Sequence, residues 1–143
     1  GLAYLMALIS YTPDDITWDV PFQTTSSPNT PPENFFGRLG ALGAGFSYYI
    51  LGAAGYLIPA CLIWFGVAKL MFAARTSKRS LIGFAMVTLS ACCLLEYQSW
   101  FFGGWPDSYN IPGAGGLSGY GIGAGVFANL AGTVGAFFTR YFL

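Results

Sequence analysis

The chain has 143 residues and no net charge, with 55% hydrophobic and only 8% charged residues. Soluble domains carry about 25% charged residues, so this composition excludes an ordinary water-soluble fold. Apolar stretches of about 20 residues cross membranes as helices, because a helix satisfies its own backbone hydrogen bonds. We therefore predict an all-α fold, a polytopic transmembrane helical bundle of about four spans.

The residue types present exclude several classes of enzyme. The chain has no histidine, which excludes His-based catalysis and His ligation of a metal. Its three cysteines, Cys61, Cys92 and Cys93, lie within apolar stretches and lack a metal-binding spacing. They are interpreted as small buried hydrophobic residues. We predict no catalytic, cofactor-binding or metal-binding residue in this chain.

The first apolar stretch covers residues 1–9, too few to cross about 30 Å of hydrocarbon. We interpret it as the outer end of a first span whose beginning is missing. Residues 10–34 follow as a polar periplasmic loop, and their prolines predict irregular or extended backbone. Those prolines are Pro13, Pro21, Pro28, Pro31 and Pro32.

The second span is predicted over residues 35–69, longer than a perpendicular helix needs, which implies tilt. Pro59 predicts a kink two thirds of the way along, because proline forfeits one backbone hydrogen bond. The kink is interpreted either as a packing feature or as a functional hinge. Small residues on this helix are candidates for close helix packing, among them Gly45, Gly52 and Gly55.

A basic cluster marks the turn that follows, predicted over residues 70–80. Short loops rich in Lys and Arg stay on the cytoplasmic side, so the cluster sets the topology of the chain. Contacts with lipid headgroups are the favoured interpretation, and contacts with DNA phosphates are the alternative. The topology residues are Lys69, Arg75, Lys78 and Arg79.

The third span is predicted over residues 81–102. It ends in aromatic residues from Trp100 to Trp105, which indicate the outer membrane interface. Glu96 is the only acidic residue within a span, and such residues commonly mark a functional site or a buried pair. Three interpretations stay open: interfacial placement or pairing with a loop residue, a polar contact between subunits, and a proton or ion pathway.

Glycine dominates the segment after the third span. We predict an outer Gly-rich loop over residues 103–118 and a fourth span region over residues 119–143, which looks truncated and carries Arg140. Overlapping GxxxG patterns favour close helix contact. No GK[ST] follows the glycines, which excludes a phosphate-binding loop. The packing candidates here are Gly115, Gly119, Gly123, Gly132 and Gly135.

Three matches, in order along the chain, resemble one family. Residues 10–18 are similar to the Ser-aromatic-x-Pro-x-Asp-x-x-Trp signature at the exit of the first span in FtsK-type DNA translocases. Residues 34–41 and 52–59 resemble the family's N-x-x-G-x-x-G-A and G-x-x-A/G-Y-x-x-P patterns. Residues 115–120 and 130–135 are similar to its G-G-x-x-G segment and to the G-x-x-G that begins the fourth span.

The resemblance implies that residues 1–143 form the N-terminal four-span membrane domain of an FtsK/SpoIIIE-type translocase, without its motor. In that family a RecA-like hexamer uses ATP and Mg to pump DNA at the division septum. The resemblance also implies a multi-pass protein of the bacterial inner membrane, enriched at the septum. Its implied partners are the lipid bilayer, further copies of the chain, membrane proteins of the divisome, and DNA through the missing motor.

Two function hypotheses follow. The first is a membrane anchor and assembly module that places an ATP-driven DNA translocase for chromosome segregation and cell division; this segment itself is not an enzyme. The alternative is a small transporter or channel subunit with Glu96 in its path. The scarcity of polar groups in the spans and the absence of an inverted repeat argue against the alternative.

Overall fold

The computed structural model describes residues 1–72, 77–98, 100–127, 132 and 140–141. Within these residues the chain is helical and has no strand, which confirms the all-α prediction. In chain order the elements are α1 (Leu2–Ile9), a 3-10 turn (Pro13–Asp15), α2 (Gly37–Leu51), a 3-10 segment (Gly52–Tyr56), α3 (Leu57–Phe72), α4 (Lys78–Tyr97), α5 (Trp105–Tyr109), α6 (Gly116–Ser118) and a π-helical segment (Gly119–Phe127).

Two stretches of the described chain are long and apolar enough to cross a membrane, Gly37–Met71 and Lys78–Tyr97. They correspond to the predicted second and third spans. The predicted fourth span falls partly outside the described residues, which leave out 128–131, 133–139 and 142–143.

Helix α4 begins and ends earlier than the predicted third span, residues 81–102. It starts at Lys78 and ends at Tyr97, so Lys78 and Arg79 lie in the first turn of α4 and not in the preceding loop. Ser77 caps this helix, since its hydroxyl accepts a hydrogen bond from the backbone N–H of Arg79 (3.3 Å). The aromatic residues from Trp100 onward therefore lie beyond the helix, in the outer loop.

The second span is interrupted near its middle, and the interruption does not lie at Pro59. Helix α2 ends at Leu51, and Gly52 has a φ of 57°, a left-handed value that glycine adopts at no steric cost. A single 3-10 segment separates it from α3, which begins at Leu57. Pro59 occupies the first turn of α3, where a helix leaves backbone N–H groups unpaired. The predicted kink at Pro59 is therefore displaced to Gly52.

Helix α1 packs against α2 and α3, and hydroxyl groups join it to α2. The Tyr4 hydroxyl is hydrogen-bonded to the Ser47 hydroxyl and donates to the Gly43 carbonyl (3.3 Å). The Tyr48 hydroxyl donates to the Leu8 carbonyl (2.9 Å). These bonds hold a helix of eight residues that rises only about 12 Å.

An aromatic core surrounds Tyr48 at the outer end of the protein. Tyr48 is 1% exposed, and its ring centroid lies 5.2 to 5.4 Å from those of Tyr11, Trp105 and Tyr109. Its hydroxyl lies 2.7 Å from that of Tyr56. Aromatic pairs contribute about 0.5–1.5 kcal/mol each beyond burial. Because the rings come from the first loop, α2, the 3-10 segment and α5, this core joins four parts of the chain.

We expect Gly52→Ala to destabilise the fold by about 2 kcal/mol or more. Alanine is strained at this φ, and its β-carbon would overlap the carbonyl oxygen of Ala114. The matched control is Gly83→Ala in α4, where an added β-carbon meets no atom within 4 Å and helix propensity favours alanine. Thermal unfolding in detergent, followed by circular dichroism, measures both variants. Equal melting temperatures would contradict the role given to Gly52.

Candidate anchor and helix-packing site

A buried carboxyl group organises the outer loop. Asp15 is fully buried, and its oxygens accept hydrogen bonds from Asn29 Nδ2 (3.1 Å) and from the backbone N–H groups of Glu33 (3.0 Å) and Asn34 (2.7 Å). Burying a polar group without partners is costly, so this arrangement requires all parts of the loop to be in place. Asp15 thus holds the end of the loop against its beginning.

Asn34 extends this connection to two helices. Its Nδ2 donates to the carbonyls of Ala7 (2.8 Å) and Ser10 (3.2 Å) at the end of α1. Its Oδ1 accepts a hydrogen bond from the backbone N–H of Phe36 (3.0 Å), the residue before α2. The last carbonyls of a helix lack partners within it, and Asn34 supplies one. We call the pair Asp15 and Asn34 the outer latch.

The two outer loops are also joined directly. Asn110 follows α5 and has a left-handed φ of 50°. Its Nδ2 donates to the carbonyls of Gln23 (3.1 Å) and Pro21 (3.4 Å) in the first loop. Nearby, burial and the adjacent Tyr109 raise the pKa of Tyr11, so that ring stays neutral within the aromatic core.

The interruption of the second span is closed by the Gly-rich segment, residues 113–125. The backbone N–H of Ala53 donates to the carbonyl of Ala114 (2.9 Å). A β-carbon on Gly116 would overlap the backbone nitrogen of Gly52, so the two backbones are in direct contact. Irregular backbone at membrane depth is tolerated where protein covers it. Here each irregular segment covers the other.

Helix α4 forms the third side of this contact. Cys92 is fully buried, and its Sγ lies 3.4 Å from the carbonyl oxygen of Leu51. A β-carbon on Gly115 or on Gly119 would collide with the carbonyl oxygen of Cys92. Cys92 lies five residues before the end of α4, about 7 Å along the axis, which places the contact in the outer part of the span. We call this meeting of residues 52–53, 113–119 and 92–96 the backbone crossing.

Glu96 lies one residue before the end of α4 and contacts the Gly-rich segment. Its Oε2 accepts a hydrogen bond from the backbone N–H of Gly115 (3.3 Å). A β-carbon on Gly113 would overlap the same carboxylate. The side chain is half-buried. Of the three interpretations offered by the sequence, this geometry corresponds to pairing with a loop residue.

The other predicted packing glycines that the structure describes within helices contact their own chain. A β-carbon on Gly45 would be crowded by the Phe22 ring, and one on Gly55 would touch α2. The carbonyl of Gly123 accepts a hydrogen bond from the Tyr97 hydroxyl (2.9 Å). Gly45, Gly55 and Gly123 therefore contact other parts of their own chain.

The predicted topology residues stand apart from these contacts. Lys69, Lys78 and Arg79 are exposed, as suits cations that reach toward headgroups at a membrane surface. Gly132 is also exposed, and an added β-carbon there meets no atom within 4 Å. The two remaining predictions, Arg75 and Gly135, lie outside the described residues.

Sequence reasoning missed the residues that form the outer latch as a unit. Asp15 and Asn34 both stand in the motifs quoted for the family resemblance, yet nothing in either motif shows that one binds the other. Only Asn34 offers a usable signal, since it lies just before α2 and bonds to the end of α1, where carbonyls need hydrogen-bond partners. Asn110 carries no such signal, because its partners lie 87 and 89 residues away along the chain.

The described residues contain no group of three or more His, Cys, Asp or Glu that could hold a metal ion. Cys61, Cys92 and Cys93 are free. The outer latch and the backbone crossing provide helix packing and hydrogen bonds. Both position membrane helices.

We expect Asp15→Ala to destabilise the protein by about 2–4 kcal/mol, because it leaves three buried or half-buried donors without their acceptor. Asp19→Ala is the matched control, since Asp19 lies in the same loop and is exposed. Thermal unfolding and protease cleavage within the outer loop, both in proteoliposomes, measure the effect. If the two variants melt and are cleaved alike, the outer latch does not hold the loop.

For Glu96 we expect the two variants to differ. Glu96→Gln keeps an oxygen that accepts from Gly115 and should change the stability by less than about 1 kcal/mol. Glu96→Ala removes the acceptor and should cost about 1–3 kcal/mol. Thermal unfolding separates these cases, and equal losses would show that the charge matters instead. The same Gln variant, tested for proton or ion flux in liposomes, decides the transporter alternative.

One family model matches residues 1–143, and its description is the 4TM region of DNA translocase FtsK/SpoIIIE. No curated protein and no solved structure matches the chain. The matched range includes the outer latch, the backbone crossing and both described membrane-spanning stretches, and it confirms the resemblance seen in the sequence. The chain therefore belongs to the family formed by the four-span membrane region of FtsK/SpoIIIE DNA translocases.

Proposed function

We propose that this chain is the membrane anchor and assembly module of an ATP-driven DNA translocase that acts in chromosome segregation and cell division at the septum. The observation that carries the proposal is the family match over residues 1–143. The contacts of the outer latch and the backbone crossing support it, since they position helices. Catalysis with ATP and Mg belongs to the motor of such a protein.

Topology supports the placement of the motor on the cytoplasmic side. Lys69 lies in the last turn of α3, and Lys78 and Arg79 lie in the first turn of α4, so the exposed cations cluster where these two helices follow each other in the chain. The described loops at the opposite end carry Asp14, Asp19 and other acidic residues. This charge asymmetry orients the basic turn toward the cytoplasm of the inner membrane, where a motor meets DNA.

Tethering gives the proposal its physical rationale. Attachment to a membrane raises the local concentration of the motor, and contact between membrane regions adds effective concentration for a ring of copies. Gly119 packs on α4 of its own chain, so it is not a free surface for such contact. We propose that copies instead meet through outward-facing side chains of α3 and α4, such as Trp64 (71% exposed) and Val87 (60% exposed).

The test replaces residues 1–143 of the full-length protein with an unrelated four-span segment whose ends are both cytoplasmic, and compares it with deletion of the same residues. We expect the deletion to release the motor into the cytoplasm. We expect the replacement to restore membrane attachment but not septal enrichment or chromosome segregation. Fluorescence localisation and segregation assays measure both proteins.

The anchor function and the assembly function would be contradicted by different results. A deletion variant that stays on the membrane would contradict the anchor function. A replacement variant that segregates chromosomes as well as the original would contradict the assembly function, because any anchor would then suffice.

A further inference from the structure

Helix α2 begins and ends beside the same end of α1. Its start follows Asn34, whose side chain donates to the carbonyl of Ala7 (2.8 Å). In its last turn, the Tyr48 hydroxyl donates to the carbonyl of Leu8 (2.9 Å), the next residue of α1. Helix α2 rises about 22 Å along its own axis, yet both of its ends are joined to neighbouring positions of α1.

The contacts in the middle of α2 show that it lies across α1. The Tyr4 hydroxyl is hydrogen-bonded to the Ser47 hydroxyl and donates to the Gly43 carbonyl, and Tyr4 lies only one turn before Leu8. If α2 ran alongside α1, its two ends would lie at least as far apart along α1 as that helix is long, about 12 Å. The chain therefore returns, through α2, to the level at which it left α1.

Helix α3 starts at this level and runs back alongside α1. The Tyr48 hydroxyl, which donates to Leu8 at the end of α1, also lies 2.7 Å from the hydroxyl of Tyr56, the residue before α3. At the other end of α1, a β-carbon on Gly1 would lie 3.0 Å from the backbone nitrogen of Ile63, the seventh residue of α3. The end of α1 thus meets the start of α3, and the two helices are antiparallel.

Helix α4 ends close to the same level. The carbonyl oxygen of Leu51, the last residue of α2, lies 3.4 Å from the Sγ of Cys92, five residues before the end of α4. Lys69 lies in the last turn of α3, and Lys78 lies in the first turn of α4, so both are at the opposite ends of these helices. Helix α3 therefore carries the chain toward the basic turn, and α2 does not.

The outward face of α2 is apolar along its whole length. The residues that share this face are Leu39, Leu42, Phe46 and Ile50. Leu39 and Phe46 are 76% and 58% exposed. Arg38, in the first turn, is the only charged residue of the helix. Contact with water would leave this apolar area hydrated, whereas contact with acyl chains removes that cost.

Exposed tryptophans at the same end of the protein indicate where the membrane surface lies. Trp18 belongs to the loop that follows α1, and Trp100 follows the end of α4. Tryptophan is enriched at the boundary between the hydrocarbon and the headgroups. Helix α2 lies among the helix ends that lead to these residues, so its apolar face adjoins the lipid near that boundary.

We propose that α2 is an interfacial helix that stays within one leaflet, with the face around Leu39 and Phe46 in contact with acyl chains, and that α3 alone forms the second span. Gly52 is then the corner between a helix that lies across the bundle and a helix that crosses the membrane. The name of the leaflet, outer, rests on the orientation proposed above. The return of α2 to its starting level does not.

Nitroxide labels on single cysteines test the placement. The experiment uses full-length protein with Cys61→Ala, Cys92→Ala and Cys93→Ala, in nanodiscs of phosphatidylethanolamine and phosphatidylglycerol. Electron paramagnetic resonance with oxygen and a nickel chelate as relaxation agents measures the depth of each label. The labelled variants are Leu39→Cys and Phe46→Cys on α2, with Val87→Cys and Leu94→Cys on α4 as a matched pair that is also exposed and seven residues apart.

We expect the two α2 labels to lie in the bilayer at depths that differ by less than one helical turn, about 5 Å, while the α4 labels differ by about 10 Å. A difference of about 10 Å in both pairs would show that α2 crosses the membrane and would overturn the proposal. Labels on α2 that are accessible only from water would overturn it as well.

A photoreactive side chain identifies what covers the outward face. We expect p-benzoylphenylalanine in place of Phe46, in protein that keeps its native cysteines, to form adducts with lipid in the same nanodiscs. The same side chain in place of Ser26, exposed in the first loop, is the control and should form none. Adducts from position 46 to a second copy, or no adduct, would contradict the lipid contact.

Thermal unfolding confirms that each variant is folded. The photoreactive protein keeps the second test available if the protein without native cysteines does not fold. Neither measurement depends on septal enrichment or chromosome segregation, so a failure of this placement is distinct from a failure of the anchor and assembly function.

Discussion

The backbone hydrogen bond from Ala53 to Ala114 governs the construction of this membrane domain. A helix that breaks inside hydrocarbon frees backbone groups, and each unpaired group costs several kcal/mol. The break at Gly52 is therefore stable only if another segment enters and pairs with it. That segment must approach backbone to backbone, which leaves no room for side chains at the contact and accounts for glycine at 115, 116 and 119. Cys92 provides a small residue on α4 where this segment arrives.

The outer latch differs from the backbone crossing in the groups that make its contacts. In the outer latch, side chains form the hydrogen bonds that join α1, the first loop and α2. Asp15 accepts hydrogen bonds from N–H groups of the loop, and Asn34 donates a hydrogen bond to a carbonyl near the end of α1. Asn110 then ties the second outer loop to the first. Together with the aromatic core around Tyr48, these contacts give the outer face one connected framework.

The sequence predicts the helical class, which the structure confirms, because apolar length is directly readable. The spans and the orientation stay predictions from apolar length and from the position of Lys and Arg, and the sequence also predicts where the second span bends. It misplaces the bend of the second span, since proline is the conspicuous helix breaker, yet Pro59 falls in a first turn that tolerates it. Gly52 is identified as a packing residue, but its left-handed φ has no signature within a glycine-containing helix. Glu96 is recognised as unusual, whereas its partner is a backbone N–H that any residue at 115 other than proline would supply. Contacts that depend on backbone atoms leave little trace in residue types.

The distance in sequence between Ala53 and Ala114 has a consequence for synthesis. Sixty-one residues separate the donor from its acceptor. At about 5–20 residues per second, the broken helix waits on the order of 3 to 12 s before its partner has been translated. During that interval the N–H of Ala53 cannot yet pair with Ala114, because its partner has not been made. The order of synthesis therefore leaves this backbone joint without its native partner for several seconds.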